Sequence, residues 1–215
     1  MKTPLKEPHR TTPVQGREIG AQIAGAFGLV FVWINSTALP LAVRVPLLVA
    51  AGIALAAILL LSVRSYRQQA DREGSARAGT DQSTARASGS PFGRKYWLVV
   101  GIEAIALFGG SQIIIGLGYP ELGIAWVAFV VGTHFFPLAR IFRLARFHVL
   151  GAIITAFGIA GFTIRAFGHV EPIAVVSGVL SGLALLGFGL WAFAPAPAAP
   201  HPAPESSARS PRART

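Results

Sequence analysis

Six long apolar runs alternate with polar or basic segments along the chain. Each run is close to the length, roughly 17–25 residues, that an α-helix needs to cross the hydrocarbon core of a bilayer. A helix satisfies its backbone hydrogen bonds within one segment, as lipid requires. The pattern therefore predicts an all-α polytopic membrane protein with a bundle of six transmembrane helices within residues 19–193. The predicted spans are residues 19–39, 41–63, 96–117, 122–139, 147–167 and 173–193.

Short connections follow the first, third and fifth spans. Residues 118–123 and 168–172 contain the glycine and proline that favour turns. Spans joined so closely are expected to lie side by side, so the sequence predicts three antiparallel hairpins. Two internal organisations fit this pattern: a triplicated hairpin, or two inverted halves of three spans as in some transporters.

Three polar segments flank or separate the spans. Residues 1–18 are predicted to be a disordered tail, and residues 64–95 a mostly flexible linker rich in arginine, serine, alanine and glycine, part of which could extend the second helix. Residues 194–215, rich in alanine, proline and arginine, are predicted to be a second disordered tail. The first apolar run is predicted to be a retained span rather than a signal peptide, because a long segment precedes it and no A-x-A cleavage site follows it.

The distribution of charge predicts the topology. Only 13% of the residues are charged, whereas a soluble domain has about 25%. Of the 19 lysines and arginines, all except Arg44 and Arg165 fall in the two tails, the linker and the connector at 140–146, which six spans place on one side. An excess of basic residues marks the cytoplasmic side. Both termini are therefore predicted to be cytoplasmic.

This topology accounts for the net charge of +10, so the lipid bilayer is the predicted partner and nucleic acid is not. Arg165, near the opposite side, is expected to extend towards the interface and Glu171. The sequence contains no cysteine, which excludes thiolate metal sites and thiol nucleophiles.

Glu103 in the third span and His134 in the fourth are candidates for a buried site. Ionisable groups inside spans usually face the bundle interior or a water-filled path. Glu103 follows Trp97 by six residues and His134 precedes Arg140 by six, so both lie roughly 9 Å from the cytoplasmic ends of their helices. A contact between Glu103 and His134 is therefore expected.

Two further residues complete the predicted site. Pro137 cannot donate to the carbonyl of Thr133, which leaves that oxygen free beside His134. Gln22 in the first span has a similar depth. Together, Gln22, Glu103, Thr133 and His134 are predicted to line a pocket open to the cytoplasm, as a substrate or proton site. The alternative is that the polar contact only fixes how the helices pack. No metal or cofactor is predicted.

Two other patterns bear on partners. Three arginines at intervals of three residues are predicted to contact anionic lipid head groups: Arg140, Arg143 and Arg146. Small residues four apart let helices approach closely in lipid and offer faces for a possible homo-oligomer. They are Gly20, Ala24 and Gly28 in the first span, and Ala174, Gly178 and Gly182 in the sixth.

The run Gly-Thr-His-Phe-Phe-Pro-Leu-Ala-Arg-Ile-Phe at residues 132–142 resembles small uncharacterised bacterial multi-pass membrane proteins, which carry G-x-H-F-x-P-L-A-R-x-F late in their fourth span. The resemblance implies the bacterial cytoplasmic (inner) membrane and brings no activity. No phosphate-binding loop or hydrolase motif occurs. The sequence favours a non-enzymatic integral membrane protein. A small transporter or permease component using Glu103 and His134, or an intramembrane lipid-modifying enzyme, are the alternatives.

Overall fold

The computed structural model describes residues 14–77, 94–142 and 144–194, and the side chains of residues 18–71, 97–141 and 144–194. Within these ranges the protein is all-helical, without strands, and six helices are long and apolar enough to cross a membrane. The predicted fold class is confirmed. The predicted disordered segments at 1–13, 78–93 and 195–215 lie outside the described residues. The helices are α1 (Val14–Asn35), α2 (Leu41–Arg77), α3 (Arg94–Gly116), α4 (Gly123–Phe142), α5 (Arg146–Ala166) and α6 (Glu171–Trp191).

Two helices extend beyond the spans that hydropathy marks. α1 begins at Val14, inside the segment predicted as a tail, and α2 continues to Arg77, well into the predicted linker. After Val63 the chain is rich in arginine, glutamine and alanine, which favour helix even in water. With 37 residues α2 is about 55 Å long, against roughly 30 Å of hydrocarbon. Its last turns therefore extend beyond the hydrocarbon core.

The helices pack in the spatial order α3, α4, α5, α6, α1, α2. The most extensive contacts are those of α4 with α5 and of α1 with α6, so the first and last of the six described helices are neighbours. α2 and α3 lie at the two edges of the bundle. α3 packs chiefly on α4, and no residue of its most apolar 18-residue window is fully buried inside the protein.

Contacts among the described residues define two ends of the bundle. At the first, Gly20, Arg146 and Ala192 line one narrow groove. At the second, the turn Ser36–Ala38 packs on Ala174–Val179, which forms a π-helical turn in α6. We call these the basic end and the turn end. The pairing into antiparallel hairpins stays a prediction, and these contacts support it.

Glycines allow the central helices to approach closely. A Cβ atom on Gly28 of α1 would lie 2.8 Å from the carbonyl oxygen of Gly182 of α6, and one on Gly182 would lie 2.6 Å from that of Gly28. A Cβ atom on Gly158 of α5 would lie 2.6 Å from the backbone nitrogen of Phe129 of α4. Small residues were predicted to allow close helix association. Gly28 and Gly182 do so within one chain, between α1 and α6.

Candidate functional site

Glu103 and His134 meet between α3 and α4. The Nδ1 atom of His134 lies 3.1 Å from Oε2 of Glu103, and the two side chains are 11% and 18% exposed, respectively. The sequence expectation that they meet rested on their equal depth below the basic end of two adjacent helices, and the structure brings them together. The separation suits an ion pair, but Nδ1 makes no aligned hydrogen bond within the described part of the chain.

The same face of α3 makes two more contacts with α4. Trp126 Nε1 donates a hydrogen bond of 3.0 Å to the carbonyl oxygen of Ala106. Gly110 lies directly against the Trp126 indole, where a Cβ atom would overlap the ring. Glu103, Ala106 and Gly110 are three and four residues apart, which places them on one side of the helix. α3 is thus attached to α4 along a single narrow face.

The rest of the predicted pocket is arranged differently. The Thr133 hydroxyl donates to the carbonyl oxygen of Val130 at 2.9 Å, so it bonds within its own helix. Gln22 is half-buried on α1, which packs mainly on α2 and α6. No hydrogen bond or ion pair joins Gln22 to Glu103 or His134 in the described residues. The structure therefore brings together two of the four residues predicted to form the site.

Comparison with known families, curated proteins and solved structures finds no match. The site must therefore be interpreted from its own geometry. Among the described residues, no group of three or more histidine, aspartate or glutamate side chains is placed to hold a metal ion. A carboxylate beside an imidazole can form an ion pair that holds two helices together, or can exchange a proton.

The three arginines predicted to contact lipid have separate environments. Arg140 is exposed near the end of α4. Arg146 begins α5 and is half-buried beside the groove at the basic end. Arg143 lies outside the described residues. At the turn end, Arg165 donates from Nε to Oε1 of Glu121 at 2.7 Å. Glu121, in the turn before α4, is thus its partner, in place of the expected Glu171.

Sequence reasoning missed one buried acid, Glu18. It is 0% exposed on α1, and its Oε1 atom accepts a 3.1 Å hydrogen bond from Nε2 of Gln69 in the extended part of α2. The other oxygen of this carboxylate, Oε2, has no hydrogen-bond partner among the described residues. Glu18 and Gln69 lie in the segments predicted to be a tail and a flexible linker. Extending the helical pattern of the first span back to Val14 places Glu18 on a helix and provides the signal that could have found it.

Proposed function

We propose that this multi-pass protein belongs to the bacterial cytoplasmic membrane and has both termini in the cytoplasm. The basic residues support this orientation, since all but two of the 19 fall on the side of the tails, linker and connector. The resemblance of residues 132–142 to bacterial multi-pass proteins supports the membrane assignment. Fusions of a periplasm-active reporter after Gly118 and after Arg77 test the topology. Activity after Gly118 alone is expected, and activity at both positions would contradict it.

We propose further that the protein is non-enzymatic and acts through helix association, with α3 as an edge helix held by the Glu103–His134 pair. The supporting observation is this carboxylate–imidazole contact, largely buried at the one face through which α3 chiefly packs. Lipid gives no hydrophobic drive for two apolar helices to associate, so polar contacts and close packing must supply the attraction. The pair is placed where that attraction is needed.

The test compares Glu103→Ala and His134→Ala with Ile113→Ala, which removes a side chain that is 65% exposed on the same helix. Polar contacts between helices in membranes contribute about 0.6–2 kcal/mol. Removing either member of the pair should lower Tm and speed amide hydrogen exchange in α3 relative to α5. Ile113→Ala should change neither. Normal Tm and normal α3 exchange in both pair variants would contradict the attachment role.

A second candidate, a small transporter or permease component, is favoured by the chemistry of the same pair. Carboxylate and imidazole groups exchange protons near neutral pH, and the pair lies about 9 Å from one end of its helices. Proton flux into vesicles containing a pH-sensitive dye would measure this activity. Glu103→Gln would abolish the flux while preserving Tm if the pair carries protons. Equal flux in protein-free vesicles would exclude this candidate.

A further inference from the structure

The face of α3 opposite Glu103 has no partner within the described chain, although it contains a polar residue. Gln112 follows Glu103 by nine residues, and at about 100° per residue it points to the opposite side of the helix. Gln112 is exposed and makes no hydrogen bond to another side chain in the described residues. An amide facing lipid leaves both its donors and its acceptor unsatisfied.

The residues around Gln112 form a heptad pattern. Residues spaced alternately by three and four line up along one side of a helix and suit packing against a second helix. The exposed fractions reach 75% at Ile105 and 72% at Phe108. A Cβ atom on Gly101 would touch nothing, so another helix can approach closely there. The pattern comprises Leu98, Gly101, Ile105, Phe108, Gln112 and Ile115, and every member is exposed.

We propose that this face of α3 binds the same face of a second copy of the chain, forming a two-fold symmetric dimer. When the two-fold axis runs along the membrane normal between the two α3 helices, residues nearest the axis lie close to their own copies. The face contains no charged residue, so two copies meet without repulsion. An amide both donates and accepts, so Gln112 can pair with Gln112 of the second copy. One polar residue at a heptad position also sets the register of two helices.

This proposal goes beyond the attachment role of Glu103 and His134 but rests on it, since the pair fixes which side of α3 faces outwards. Different measurements would contradict the attachment role and the dimer interface. Loss of the Glu103 contact loosens α3 within one chain and lowers Tm. Loss of the Gln112 contact reduces dimerisation and leaves Tm of the monomer unchanged, because Gln112 has no partner in its own chain.

The absence of cysteine from the sequence makes cross-linking a direct test. When copper phenanthroline is added as the oxidant in air, the variant Ile105→Cys should form a disulfide-linked dimer in native membranes. Ile53→Cys, on the lipid-exposed side of α2, is the matched control at 65% exposure and should cross-link only at the rate of random collisions. Equal rates for the two variants would overturn the proposal.

A second measurement quantifies the role of Gln112. The dimer fraction of fluorescently labelled full-length protein is measured by single-molecule photobleaching at rising dilution in lipid. Gln112→Leu should weaken association about tenfold, the effect of losing one polar contact between helices in lipid. Gln112→Asn, which keeps the amide, should preserve most of the association. Unchanged dimerisation in Gln112→Leu, or a monomeric wild-type protein at all dilutions, would refute this interface.

Discussion

The contact between α1 and α6 depends on the absence of side chains at Gly28 and Gly182, and Gly182→Ala tests this dependence. The added Cβ would lie 2.6 Å from the carbonyl oxygen of Gly28, 2.8 Å from Cγ2 of Val32 and 2.9 Å from the nitrogen of Val32. Two of these three atoms are backbone and cannot rotate away. The helices must therefore separate by several tenths of an ångström, and overpacking of this kind costs about 1–3 kcal/mol.

Tm of the protein in lipid nanodiscs measures the effect. For a chain of 150–250 residues, 1 kcal/mol corresponds to about 2–4 °C, so Gly182→Ala should lower Tm by about 2–12 °C. Gly52→Ala on α2 is the control, since a Cβ there meets no atom within 4 Å. Alanine favours helix over glycine, so this control should be neutral or slightly stabilising. A Tm equal to wild type for Gly182→Ala would refute the argument that α1 and α6 are in backbone contact.

Two further substitutions test contacts at the ends of the bundle. Glu18→Ala should cost about 1–3 kcal/mol, because it leaves the Gln69 amide without its acceptor, and should speed trypsin cleavage after Arg67. Glu18→Gln, which keeps an acceptor oxygen, should behave more like wild type, and equal cleavage rates in all three proteins would contradict this role. Arg165→Gln breaks the ion pair with Glu121 at the turn end, which is partly open to solvent. It should cost at most about 1 kcal/mol, and a larger loss of Tm would show that the pair is better shielded than its exposure implies.

The parts of this structure that depend on local pattern could be predicted from sequence. Hydropathy located all six spans because each must fill the thickness of lipid on its own. The contact between Glu103 and His134 could also be predicted. One short turn joins their helices, so the depth of each residue can be counted from that turn. The depth of a residue along a helix follows from its position in the sequence, because the rise per residue is constant.

Properties that depend on which helices become neighbours could not be predicted. Gln22 has the same depth as His134, but α1 packs mainly on α6 and α2, and depth alone does not distinguish neighbours. Arg165 pairs with Glu121, which is 44 residues away, although Glu171 is much closer in the chain. Glu18 was overlooked because hydropathy marks only the part of a helix that lies in lipid. The helix that contains Glu18 begins before that part, at Val14.

The pairing of α1 with α6 has a consequence for biosynthesis. α1 leaves the ribosome before the other five described helices, and its main neighbour, α6, leaves after them. The glycine-lined side of α1 must therefore stay in the bilayer or against the insertion machinery until α6 has been made. A nascent chain that stalls before residue 171 exposes that side to its surroundings, so a single helix surface distinguishes chains with α6 from chains without it.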